Sequence, residues 1–259
     1  MDPGGTRTGP PDFIGVGTQR SGTTWWFMTL LEHPAIRAPR HGNKELHYLT
    51  RYAGRKMTDT DVERYHDKFP RAPGELVGEW TPRYMHDFWT PRLIRRAAPD
   101  AKLLVLFRDP IERFRSGVPK ERMVDPERPL GDVIADAMER GRYATQLRRL
   151  RAEHPDAEIL VTQYEKCAAD PVTQYHRTLR FLGADTDQPP PDFQRRRGRS
   201  QARNKTELWP DLVAGLKATL EPEVRQLAAM EPEIDVSLWP NFAHLADAAS
   251  TDAAAAVSA

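Results

Sequence analysis

Residues 13–26 read FIGVGTQRSGTTWW. Phe13 to Gly17 form an apolar run with the length of a short buried strand, and the chain from Gly22 through Leu31 has the pattern of a helix stopped by Pro34. Between them lie Thr18, Gln19, Arg20 and Ser21. Glycines let the backbone turn tightly and bring N–H groups against an anion. A helix N-terminus adds the positive end of its dipole, and Ser21, Thr23 and Thr24 add hydroxyls. A plain strand-to-helix turn satisfies the same residues, because paired glycines alone are weak evidence.

Gly17 and Gly22 have the spacing of a nucleotide triphosphatase loop, G-x-x-x-x-G-K-[ST], but Thr23 stands where the lysine belongs. The only cation within the turn is Arg20. A lysine at that position reaches β and γ phosphates and the next hydroxyl binds Mg²⁺. The composition of the turn therefore disfavours triphosphate chemistry and suits a 5′-linked anionic group held without metal.

Outward from this stretch, residues 36–58 read as mixed and loop-like, with NKELHYL in the middle. TDTDVERYHDKFP carries a helix cap signal, ELVGEWTP a strand running into a turn, and FWTPRLIRRAAP a helix. AKLLVLFRDP is the clearest strand, and Pro110 opens a helix after it. Residues 130–155 are helical with a break near Gly141. AEILVTQYE is another strong strand, and DPVTQYHRTLRFLG is a helix ended by Gly183. ELWPDLVAGLKATLEPEVRQLAAM supplies the last helices. Strands alternating with helices predict an α/β fold, a P-loop-like parallel β-sheet flanked by helices on both faces. The expected organisation is a disordered N-terminus over 1–11, one domain over 12–245 and a flexible Ala-rich tail over 246–259.

The chain has 259 residues, enough for one large α/β domain. Its net charge of +1 offers no whole-protein field toward nucleic acid or membrane, so any basic site is local. The single cysteine, Cys167, excludes an intrachain disulfide and reads as a packed thiol. The opening MDPGGTRTGPPD lacks the apolar stretch of a secretory signal, and no apolar run is long enough to span a bilayer. The expectation is a cytoplasmic protein. His33, His41 and His66 have no metal-ligand spacing with Cys167, so no metal is expected.

The loop TQRSGTTW, residues 18–25, resembles the 5′-phosphosulfate loop of sulfotransferases that use 3′-phosphoadenosine 5′-phosphosulfate (PAPS). That family usually has a lysine where this chain has Arg20, a change that keeps charge but replaces a point with a planar fork. The resemblance makes Gln19, Arg20, Ser21, Gly22, Thr23 and Thr24 donor-binding residues. It extends to LLVLFRDPIERFRSG, where Arg108 ends a strand and Ser116 follows eight residues on, the family's 3′-phosphate pattern. On the residues alone, Arg108 could instead pair with Asp109 or Glu112. Arg197, Gly198 and Arg199, inside the basic segment RRRGRSQARNK, resemble the loop that closes over the nucleotide.

KELHYL and VGEWTPRYM resemble segments of the heparan-type carbohydrate sulfotransferases and their bacterial relatives. A sulfuryl transfer needs a base for the acceptor, for which Glu45 and His47 are the two candidates, and a cation near the bridging oxygen, which Arg20 can supply. This resemblance implies Glu45 as the general base, with His47 as an orienting or acceptor-binding partner. Glu79, Trp80 and Thr81 join Glu45 and His47 as acceptor-cleft residues. The bland alternative for Glu45 is a surface acid paired with Lys44 or an arginine. Trp80 stands where those relatives carry a lysine, which favours a smaller or less charged acceptor than a highly sulfated polymer: a sugar-bearing or aromatic metabolite, a lipid or a carbohydrate. Two rival readings stand beside this one. A P-loop kinase of a small alcohol or nucleoside needs the missing lysine. An RNA-binding protein using the basic run conflicts with the near-zero net charge.

Overall fold

A computed structural model of the chain describes residues 5–194 and 208–246. The basic segment at 195–205, with Arg197, Gly198 and Arg199, and the C-terminal tail from 247 lie outside the described residues.

Five strands form one parallel sheet: β1 (Phe13–Gly17), β2 (Ile36–Arg37), β3 (Leu76–Trp80), β4 (Lys102–Phe107) and β5 (Ile159–Gln163), in the order β2-β3-β1-β4-β5. β4 alternates across the sheet. Leu103, Val105 and Phe107 enter one apolar core and Leu104 and Leu106 the other. Burial on both faces is why the sequence reads as an unbroken apolar run rather than an alternating one. The first core is closed by α2 (Asp59–His66), α3 (Thr90–Ala97), α4 (Pro110–Val124), α5 (Leu130–Glu139), α6 (Tyr143–Glu153) and a long helix near the C-terminus. The second is closed by α1 (Thr23–Leu30), α7 (Tyr164–Ala169) and α8 (Pro171–Leu182). The long helix, α9 (Pro210–Met230), buries Leu216, Leu220, Val224 and Leu227.

Local signals act where expected. Thr58 and Asp61 form a reciprocal capping box at the start of α2. The helical region 130–155 breaks between Glu139 and Tyr143, and Gly183 ends α8 with φ 79°. Two expectations are corrected. The loop-like region after Pro34 contains β2, a two-residue edge strand too short to leave a periodic signal. Of the segment expected to be disordered, the described part from Gly5 is laid against the domain, with Arg7 and Arg71 exchanging backbone hydrogen bonds of 3.0 and 2.9 Å.

Gly15 pairs with Trp80 across β1 and β3. A Cβ at Gly15 would lie 2.0 Å from the Trp80 indole, so the missing side chain is what admits the ring. Trp80 is consequently a core residue, 1% exposed, with its indole N–H donating to the Gly17 carbonyl at 3.2 Å. The sequence expectation that placed it in the acceptor cleft is overturned, because the two-residue period of a strand turns its ring to the α1 face. The inference from Trp80 to a weakly charged acceptor falls with it.

Candidate active site

The carboxyl ends of four strands converge, the usual place for ligands in open parallel sheets. The loop 18–22 follows β1, Pro82 lies just beyond β3, Arg108 follows β4, and Tyr164 follows β5 and begins α7. They meet at a cavity of ≈ 750 Å³ whose lining includes Gln19, Arg20, Gly22, Thr23, Thr24, Glu45, His47, Arg108, Ser116 and Tyr164. Most of the expected donor-binding residues are thus brought together. Ser21 stays fully buried beneath the loop, its hydroxyl 2.6 Å from that of Thr18.

The start of α1 has the chemistry of an anion site. Its N-cap residue is Gly22, at φ 90°, where a Cβ would also strike the Tyr164 ring at 2.7 Å. Among the described residues no side chain caps this terminus and its first turn carries no acid, so its first N–H groups have no intrahelical partner. Gln19 buries its side-chain oxygen without a hydrogen-bond partner among the described residues.

Arg20 also adopts a left-handed conformation, φ 66°. Its Nε and Nη2 donate to Ser116 Oγ at 3.2 and 3.0 Å, and Nε donates further to the Ser116 carbonyl at 3.0 Å. Arg108 stacks on Tyr164, its guanidinium carbon 4.8 Å from the ring centre, and donates to the Arg20 carbonyl at 3.3 Å. The alternative of an ion pair for Arg108 is present at long range, with Glu112 at 3.8 Å. Asp109 is otherwise engaged: it caps α4 and accepts from the backbone and side chain of Asn241. Burial and the neighbouring Arg108 both lower the pKa of Arg20, because two guanidinium groups crowd one cavity.

The KELHYL segment is fixed from below by a buried carboxylate. Glu79 has no exposed surface, and its oxygens accept from Tyr65 Oη (2.7 Å), Tyr84 Oη (3.0 Å), Thr81 Oγ1 (2.6 Å) and the backbone N–H of Leu46 (3.1 Å). Thr81 Oγ1 in turn accepts from the His47 N–H at 3.2 Å. Glu79 and Thr81 were expected in the acceptor cleft. Both are buried behind it, and they hold in place the residues that face it.

Glu45 lies between Lys44 and His47. Its Oε1 is 2.7 Å from Lys44 Nζ, and its Oε2 is 3.2 Å from His47 Nε2. Burial would raise the Glu45 pKa, but the His47 hydrogen bond and the Lys44 ammonium outweigh it and hold the group at about 2. His47 has φ 48°, an uncommon conformation for a side-chain-bearing residue, and half-exposes its ring. Lys44 also donates to Thr23 Oγ1 at 3.1 Å. Sequence reasoning treated Lys44 only as a partner for Glu45, and it assigned no site role to Tyr164. A signal existed for Tyr164, which follows its strand as Arg108 follows β4.

The family model for the sulfotransferase domain matches residues 10–205. The chain is 29% identical over 186 residues to heparan sulfate glucosamine 3-O-sulfotransferase 6 of Mus musculus, covering 67% of this chain and 52% of that protein. It is 28% identical over 187 residues to heparan sulfate glucosamine 3-O-sulfotransferase 3B1 of Homo sapiens, covering 67% and 46%. The chain thus spans about half the length of these curated relatives. Among solved structures, a sulfotransferase from Alicyclobacillus acidocaldarius superposes with a TM-score of 0.70 at 26% identity, covering 88% of this chain and 98% of that one. A sulfotransferase from Mycobacterium avium shares the fold, with a TM-score of 0.58 at 16% identity over 90% and 79% of the two chains.

Proposed function

Since the chain belongs to the sulfotransferase family, we propose that it moves a sulfuryl group from PAPS to a hydroxyl, or less readily an amine, of a small-molecule, glycolipid or carbohydrate acceptor. The observation that carries this reading is the uncapped N-terminus of α1, opening with Arg20 and Arg108 into one cavity that also holds the carboxylate of Glu45. The acid-free first turn of α1 suits an anionic nucleotide. In this reading the loop 19–24 and Arg20 hold the 5′ end of the donor, and Arg108 with Ser116 holds the 3′-phosphate. Arg197, Gly198 and Arg199 are the candidates for a cover over the nucleotide. Bound there, PAPS supplies an activated sulfuryl group with a phosphate as its leaving group, and no metal is required.

Glu45 is the general base in this proposal and takes the proton of the acceptor hydroxyl. His47 orients it through the 3.2 Å contact. A carboxylate held near 2 is ionised and ready to accept at neutral pH, yet weak as a base while both partners stay on it. Similarity to enzymes named for heparan sulfate supports a carbohydrate hydroxyl as acceptor.

Thermal unfolding with nucleotides tests the reading, since a ligand that binds only the folded state raises its stability by mass action. Stabilisation by 3′,5′-ADP without Mg²⁺, exceeding that by ATP, is the expected result. Stabilisation by ATP with Mg²⁺ and none by 3′,5′-ADP would move the assignment to a P-loop kinase.

A further inference from the structure

The phosphate loop carries no lysine of its own, and Thr23 occupies the position where a triphosphate loop has one. An ammonium nonetheless arrives there from another part of the chain. Lys44, on the segment after β2, is 11% exposed at its side chain, and its Nζ lies 3.1 Å from Thr23 Oγ1. Burial disfavours its charge, while Glu45 and, more weakly, Glu79 of β3 favour it and Arg20 of the loop opposes it. An ammonium has three hydrogens to donate. Among the described residues it donates to two acceptors, Glu45 Oε1 and Thr23 Oγ1.

A desolvated ammonium is costly and needs a structural or chemical reason. A pair serving only to anchor Glu45 would do as well at the surface, where such pairs contribute little but cost little. This one is set at the first residue of α1, between the anion-binding terminus and the proposed base. We infer that Lys44 is a second catalytic cation of the transfer step beside Arg20, supplying from the KELHYL segment the ammonium that the loop lacks. The inference rests on the sulfuryl-transfer reading above and deepens it.

In the step, the acceptor oxygen forms a bond to sulfur while the bond from sulfur to the bridging oxygen breaks. The electron pair of the broken bond stays on the bridging oxygen, which becomes part of the 5′-phosphate of 3′,5′-ADP. The acceptor proton goes to Glu45. Lys44 donates to the oxygen on which charge collects, and an N–H aimed there acts more strongly in a site closed to water. The same movement takes the ammonium off Glu45, so a bound donor raises the basicity of the carboxylate. Glu45 then faces His47 from its own segment and Arg20 from the loop. The base is thereby weak in the free protein and strengthened when donor is present.

The experiment measures affinity for PAPS and for 3′,5′-ADP by calorimetry, and single-turnover release of labelled sulfate from PAPS with water as acceptor. The proteins are wild type, Lys44→Ala, Lys44→Arg and Lys44→Cys before and after aminoethylation. The one native cysteine, Cys167, is fully buried, so a cysteine at 44 is the accessible thiol for the reagent. Expected for Lys44→Ala are a loss of about 10²-fold in sulfate release, weaker PAPS binding and little change for 3′,5′-ADP. Aminoethylation of Lys44→Cys restores both losses, which a packing defect would not allow, and Lys44→Arg restores them only in part. Unchanged PAPS affinity and turnover in Lys44→Ala would overturn the role of Lys44 and leave the donor assignment standing. So would a folded Lys44→Cys that aminoethylation fails to rescue. Wild type that binds neither nucleotide would remove the donor assignment and this inference together.

Discussion

Two nitrogens of Arg20 converge on the hydroxyl of Ser116, at 3.2 and 3.0 Å, across 96 positions of sequence. The loop after β1 and α4 are joined through this contact, and Arg108 adds to it by donating to the Arg20 carbonyl.

Arg108 and Ser116 should therefore differ in what their loss costs. Arg108→Ala removes a charge-assisted donor and is expected to weaken 3′,5′-ADP by about 1.5–3 kcal/mol while changing 5′-AMP far less. Ser116→Ala removes a neutral partner and frees the Arg20 fork, so a loss of roughly 0.5–1.5 kcal/mol is expected. Calorimetric titration of both variants with both nucleotides checks the order. Equal losses for 3′,5′-ADP and 5′-AMP would detach Arg108 from the 3′-phosphate.

Glu45→Gln is expected to abolish turnover and leave 3′,5′-ADP binding intact. The pH dependence carries a further expectation. The folded-state pKa of Glu45 is depressed below the usual carboxylate value, to about 2. A depressed carboxylate contributes stability that is present above its unfolded value and is lost as pH falls through the folded one. The Glu45 contacts thus hold through neutral and mildly acidic pH and loosen only between about 4 and 2. With Glu45 as base, kcat/KM against pH should show no acid limb attributable to it above about 4. An acid limb in the range where histidines titrate would transfer the base role to His47.

Glu79 lies behind the site, yet its loss should reach the chemistry. Its four hydrogen-bonding neighbours include the backbone N–H of Leu46, between Glu45 and His47. Glu79→Gln turns one acceptor into a donor amid buried donors, with an expected cost of about 1–3 kcal/mol in stability. Denaturant unfolding measures this cost. A fall in kcat with unchanged 3′,5′-ADP affinity would mark the displacement of the 44–48 segment. Full stability in the variant would mean that the four contacts are replaceable.

Trp80 and Gly15 form a large–small pair, and both sides of it should be intolerant. Trp80→Lys puts an unpaired cation in the α1 core and removes a buried ring, for a loss of at least about 3–5 kcal/mol. Gly15→Ala drives a methyl into the indole and is expected to cost at least about 1–3 kcal/mol. Thermal unfolding compares them with wild type. A Trp80→Lys protein of native stability and altered acceptor preference would return this residue to the cleft.

What could be read without coordinates was what is local. The strand-turn-helix of residues 13–30, the apolar run of β4, the capping box at Thr58 and the stop at Gly183 are each written in adjacent residues. So is the position of Arg108, since a residue that ends a parallel strand faces the carboxyl edge of the sheet. Local patterns alone therefore predicted the α/β fold and brought the loop and Arg108 to one end of it. Resemblance to a known family then added Ser116 and Glu45. The tertiary structure decided which way side chains point where the backbone is irregular or the register matters. Trp80 and Glu79 exchange faces if β3 shifts by one residue, and only pairing with β1 settles that register. Lys44 and His47 lie on a segment without periodicity, bent by a positive φ and held by a glutamate 33 positions away from Leu46. No run of neighbouring residues encodes the 3.1 Å between Lys44 and Thr23, because that distance is set by β3 and the buried tyrosines beneath it.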